Sequence, residues 1–139
     1  MKKSIILSLV LAFAVSLSAQ EKKVVEFTET THDFGTVQEG TGANSQLPAV
    51  FTFRNVGTTP IFIQDIRTGC GCTKSQVDTN KPILPGETGN FTLYYDSKRK
   101  GGISRRVEVI FKDGGGDTFS EFVNLRGNVV AKAQEQPQQ

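Results

Sequence analysis

The chain predicts an all-β, immunoglobulin-like β-sandwich of about seven strands following a cleaved signal peptide. Three observations carry that expectation. Short runs alternating apolar and polar residues recur over residues 20–130, turns rich in glycine, proline or asparagine separate them, and no segment there sustains the spacing of an amphipathic helix.

The beginning of the chain reads as positive, then apolar, then small: Lys2 and Lys3, the run from Ile5 to Leu17, then Ser18-Ala19. That is the layout of a secretory signal peptide, expected to occupy residues 1–19 with cleavage after Ala19. The apolar run is too short to span a bilayer comfortably, and Glu21, Lys22 and Lys23 follow at once. No cysteine lies near the cut, so a lipoprotein signal is not expected. The mature chain is therefore expected to lack a transmembrane segment and to act in the periplasm or outside the cell. Removing residues 1–19 from the 139 leaves 120, enough for one domain. Lys2 and Lys3 account for the whole excess of 16 basic over 14 acidic residues, so the remainder is formally neutral and nucleic acid is not an expected partner.

The expected strands run in order. They are Val24 to Thr28, a short one near Thr36-Val37, Ala49 to Asn55, Ile61 to Arg67, Gly89 to Tyr95, Ser104 to Phe111 and Phe119 to Val130. Alternation is clearest where Phe51 and Phe53 oppose Thr52 and Arg54, and it repeats at Phe91, Leu93 and Tyr95 and at Val107, Val109 and Phe111. Asn55-Val56-Gly57, Leu84-Pro85-Gly86, Gly101-Gly102 and Asp113 to Asp117 supply the turns. The polar, glutamine-rich stretch 131–139 reads as a disordered tail.

Two cysteines survive maturation, Cys70 and Cys72, and would meet an oxidising compartment. Residues two apart in an extended chain point to one side, with Cα atoms roughly 6.6 Å apart, near the upper limit for a disulfide. Gly69 and Gly71 allow the chain to tighten and close the bond. A loop that short constrains the unfolded chain very little, so a purely stabilising disulfide is the weakest reading. Three readings stay open: a small packed pair or local clip, a redox couple exchanging electrons with a thiol partner, and a Cu(I) site made of two thiolates. Zinc would want four ligands, and His32 is the only histidine. No cofactor is expected.

His32 is expected just ahead of a strand, hydrogen-bonding the backbone there. A Ser-His-Asp hydrolase would have to use it as base, but no Gly-x-Ser-x-Gly elbow exposes a serine, so the chain is not expected to be an enzyme. Lys98, Arg99, Lys100, Arg105 and Arg106 crowd the region around Gly101-Gly102, and solvated charge that discourages edge pairing is the expected role.

Several motifs point further. His32-Asp33-Phe34-Gly35, Phe53-Arg54-Asn55-Val56-Gly57 with Pro60-Ile61, Thr68-Gly69-Cys70-Gly71-Cys72-Thr73, Ile83-Leu84-Pro85-Gly86-Glu87 and Tyr94-Tyr95-Asp96 occur in that order. Together they resemble the bacterial domain-of-unknown-function family fifteen seventy-three, secreted proteins common in Bacteroidetes-type bacteria. The likeness runs from about Phe27 to Val130. That family is similar to Hydin-type and PapD-like immunoglobulin-like domains, which implies a sandwich and a tendency to bind other proteins, and it carries no settled activity. The expectation is thus a non-enzymatic, exported module that binds a protein partner through a sheet edge, with thiol-disulfide or copper chemistry at Cys70 and Cys72 as the alternative. His32, Asp33 and Thr73 are the supporting candidates.

Overall fold

Alternation decides the layers. The computed structural model describes residues 22–133, so the expected signal peptide and the tail beyond residue 133 lie outside the described residues. Eight strands form: β1 (Val25–Phe27), β2 (Thr31–Gln38), β3 (Gln46–Asn55), β4 (Ile61–Arg67), β5 (Thr73–Gln76), β6 (Thr88–Asp96), β7 (Gly101–Asp113) and β8 (Thr118–Val130). They make two four-stranded sheets, in the orders β1-β3-β6-β5 and β2-β8-β7-β4. Every pairing is antiparallel except β2 with β8, which is parallel.

Ala49, Phe51, Phe53, Phe91, Leu93 and Tyr95 project from the first sheet into the core, where they meet Ile61, Ile63, Val107, Val109, Phe111, Val123 and Leu125 from the second. Each large apolar side chain removed from water contributes about 1.5–3 kcal/mol. Phe53 and Phe111 join the layers edge to face with ring centroids 5.2 Å apart, and Phe111 stacks on Phe119 at 5.4 Å. Packing, rather than the one short covalent clip, therefore holds the sandwich together.

Four details differ from the expected elements. The strand near Thr36-Val37 begins at Thr31, so His32 lies within it rather than ahead of it. A bulge between Asp33 and Thr36 hid its length: Gly35 has φ 66°, and Asp33 Oδ1 accepts the Gly35 N–H at 2.7 Å. The bulge also brings β2 so close to β8 that a Cβ on Gly127 would stand 2.9 Å from the Gly35 carbonyl oxygen. β5 was not expected, because only Thr73 of its four residues is buried and Lys74, Ser75 and Gln76 show no apolar alternation. Gly101 and Gly102 are not a turn; they open β7 and pair with Val129 and Asn128. β3 starts at Gln46 and contains Pro48, which the edge geometry described below tolerates.

The chain changes sheets between β1 and β2. Thr28 N donates to Thr52 O at 2.9 Å in the first sheet, and Asn124 N donates to Thr30 O at 2.7 Å in the second. β1 therefore covers β3 only from Phe53 onward, and β2 covers β8 only from Asn124 onward. Among the described residues, Gln46–Phe51 of β3 and Thr118–Val123 of β8 have a strand on one side only.

Candidate functional site

Cys70 and Cys72 sit where the chain crosses from one sheet to the other. β4 ends in the second sheet with Arg67 opposite Glu108, and β5 begins in the first with Thr73 opposite Tyr95. The crossing must turn sharply, and Gly69, with φ 72°, supplies a conformation that side chains disfavour. Cys70 and Cys72 are joined as a disulfide with Cα atoms 5.4 Å apart, so the arc is drawn in from its extended length. Cys72 is 1% exposed and belongs to the core, whereas Cys70 is only partly buried and Gly69 and Gly71 face solvent. The Cys72 carbonyl accepts the Asp96 N–H at 2.8 Å, which ties the arc to the end of β6.

Of the supporting candidates, only Thr73 joins the cysteines. It is buried, and its Oγ1 lies 3.9 Å from Cys70 Sγ and 3.8 Å from Cys72 Sγ. His32 packs instead on the inner face of β2, its ring 4.7 Å from that of Phe34 and 6.5 Å from that of Phe51. Asp33 faces outward and caps the bulge. Both serve the β2–β8 junction and not the thiol site. A Cu(I) reading would need both sulfurs released from the disulfide as thiolates.

The basic cluster is divided by strand alternation. Lys98, Arg99 and Lys100 are exposed at the β6–β7 turn, and Arg106 lies on the outer face with its guanidinium 3.9 Å from the centroid of Phe122. Arg105 has the parity of buried Ile103 and Val107, and its Nε is buried with no hydrogen-bond partner. Reading arginines as surface residues missed this one; the phase of the alternation through Ile103, Val107 and Val109 is the signal that places it.

The second feature is the uncovered half of β8, at the opposite end of the sandwich from the cysteines. Because Asn124 turns its N–H toward β2, strand alternation turns the N–H and C=O groups of Ser120 and Phe122 toward the same side, where among the described residues no strand pairs with them. On β3 the corresponding groups share the side of the Thr52 carbonyl, which accepts from Thr28; Pro48 falls in that phase and has no N–H to offer. Pro48 thus blunts one open edge, and no proline blunts the other. Beside the β8 edge runs a groove of about 650 Å³ whose lining includes Lys23, Val24, Phe119 and Glu121.

Burial holds the Glu121 carboxyl above its ordinary range, with Lys23 pulling partly the other way. A carboxyl whose folded pKa is raised costs stability once pH climbs from the ordinary carboxylate value, about 4.3, through the folded value. Glu121→Gln is accordingly expected to raise the unfolding midpoint at neutral pH, with the gain disappearing below about pH 4. Thermal unfolding of both proteins from pH 3 to 8 checks the sign, and a loss of stability at pH 7 would show that the Lys23 attraction outweighs burial.

Comparison with known proteins agrees with the fold. The chain is similar to the VesB protease of Vibrio cholerae, with TM-score 0.61 and 14% identity over 76% of this chain and 32% of that one. A PapD-like domain of human CEP192 gives TM-score 0.60 and 11% identity over 79% of this chain and 87% of that domain. A protein of unknown function from Porphyromonas gingivalis W83 gives 0.58 and 19% over 76% and 46%. The chain thus spans about a third of the Vibrio protease and under half of the Porphyromonas protein. No curated protein matches the sequence. The family model for proteins of unknown function designated DUF1573 matches residues 25–129, all eight strands but the last residue of β8, and the chain belongs to that family.

Proposed function

We propose that this protein is an exported, non-enzymatic binding module that takes up an extended segment of another polypeptide as an added strand along Thr118–Val123 of β8. The open edge carries this reading: among the described residues Ser120 and Phe122 present main-chain donors and acceptors with no strand beside them, next to a groove lined by Val24 and Phe119 and by side chains of both charges, Lys22 and Lys23 with Asp113, Asp117 and Glu121. Strand addition draws affinity from such main-chain groups and specificity from neighbouring pockets, so the fitting partner is an extended segment whose alternate side chains include apolar ones that reach Val24 and Phe119. Likeness to a PapD-like domain supports a sandwich used for binding. The disulfide supports export, since such bonds persist in oxidising compartments.

Ser120→Pro tests the reading. It removes an N–H that faces the open side and none from the β7–β8 ladder, so the fold is expected to persist. Extended peptides selected on the native protein from a displayed random library are expected to slow hydrogen exchange at Ser120 and Phe122 and to bind the variant at least ten-fold more weakly. Undiminished binding to Ser120→Pro, or no protection at those two amides, refutes strand addition at β8.

A further inference from the structure

We infer that the Cys70–Cys72 disulfide is a thiol-disulfide exchange site that oxidises thiols, with Cys70 the sulfur attacked and Cys72 the sulfur that leaves. This does not rest on strand addition at β8, which lies at the other end of the sandwich.

The first argument is linkage between the bond and the fold. A disulfide is protected from reduction to the extent that it stabilises the folded chain, and that extent grows with the loop it closes. Here the loop spans a single intervening residue. Cys72 sits in the core and Cys70 packs against it, but most of that core is aromatic and aliphatic side chains of the two sheets meeting across the interior, none of which the bond holds in place. The fold therefore lends this bond little resistance to thiols.

The second argument is access. The two sulfurs differ in position: Cys72 is 1% exposed inside the core, while Cys70 is partly buried on an arc flanked by exposed Gly69 and Gly71. A Cβ added at either glycine would meet no atom within 4 Å, so the surroundings of the arc are open. A depression of about 260 Å³ lined by Gly71, Cys72, Lys74, Tyr94, Asp96 and Lys98 adjoins the arc on the Cys72 side, and Asp96 offsets part of the charge of its two ammonium groups, so the approach to Cys70 is from the exposed glycine side of the arc.

The third argument concerns the charge released. An incoming thiolate bonds to Cys70 Sγ, the Sγ–Sγ bond breaks, and its electron pair leaves on Cys72 Sγ. Thr73 Oγ1, 3.8 Å from that sulfur, is placed to donate a hydrogen bond to it. A second thiolate then attacks the substrate sulfur of the mixed disulfide and releases Cys70. The protein gains two electrons and two protons, and two substrate thiols become one disulfide.

The test uses the folded protein and glutathione as the probe. In buffers of graded reduced-to-oxidised glutathione, followed by alkylation and intact mass, the pair is expected to open at millimolar reduced glutathione with the far-ultraviolet circular dichroism unchanged. The mixed-disulfide intermediate is expected to map to Cys70 in the native protein. With oxidised glutathione, Cys70 in Cys72→Ser is expected to react at least ten-fold faster than Cys72 in Cys70→Ser. A pair that stays closed in 10 mM reduced glutathione until urea unfolds the chain overturns the inference, as does glutathione mapped to Cys72. The equilibrium and the mapping need no variant, so a failure of either substitution to fold leaves the test intact.

Discussion

Replacing Phe111 by alanine is expected to destabilise the protein by about 3–5 kcal/mol, the range for deleting a buried phenylalanine. The side chain is 0% exposed and is the second sheet's main contact with the aromatic cluster of the first: its ring lies 5.2 Å from Phe53, 6.5 Å from Phe27 and 5.4 Å from Phe119. Phe27 and Phe53 belong to strands held by their own ladder, so they cannot collapse into the vacated space without moving the first sheet. Domains of this size have about 5–15 kcal/mol in all, so the loss takes a large share of it. Urea unfolding is expected to show a much lower midpoint with an unchanged slope. Phe122 is the control: it is 40% exposed on the outer face, and its truncation is expected to cost under about 1 kcal/mol. Equal losses at the two positions would mean that the interior does not discriminate between them and that the packing argument is wrong.

The same alternation that buries Phe111 made most of the fold legible in the sequence. β4 runs from Ile61 to Arg67 as its pattern predicts, and β6, β7 and β8 differ from their expected spans only at the ends. Legibility failed where inward apolar residues are lacking or are thrown out of period. β5 buries only a threonine, and β2 carries His32, Asp33 and Gly35 through a bulge, so neither shows a hydrophobic period. The side shared by Cys70 and Cys72 could be read from strand geometry, and the capacity of Gly69 and Gly71 to draw them together was evident from residue type. Their unequal burial was not, because it depends on a crossing between sheets that only the paired strands define. The open half of β8 was equally hidden: an edge exists there because the chain switches partners at Thr28–Thr30, and no local pattern in residues 118–123 marks it.

The quoted motifs divide along the same lines, and Asn55 shows how. It is 0% exposed; its Nδ2 donates to Thr59 O at 2.8 Å and Ile83 O at 2.9 Å, while its Oδ1 accepts from Gly57 N at 2.9 Å. Its main chain bonds Glu87 O and Gly86 N, so the Phe53-to-Gly57 and Ile83-to-Glu87 motifs are one joint at the end of the sandwich opposite the cysteines. These residues serve the fold and not a reaction. Asn55→Ala strips the Thr59 carbonyl and the Gly57 amide of their side-chain partner, while Ile83 O keeps the Ile61 N–H; the expected cost is about 2–4 kcal/mol. Asn55→Asp separates hydrogen bonding from shape. It keeps the acceptor for Gly57 but points a carboxylate at two carbonyl oxygens in a buried site, so its folded pKa lies above the unfolded value of about 3.9. The extra cost is present at neutral pH, where Asn55→Asp is expected to be less stable than Asn55→Ala. It fades as pH falls through the raised value, because the protonated acid can donate one hydrogen bond. Unfolding midpoints for both variants at pH 7 and pH 4 decide it: an aspartate variant as stable as the native protein at pH 7 would mean that water reaches Asn55 and that the joint is not sealed.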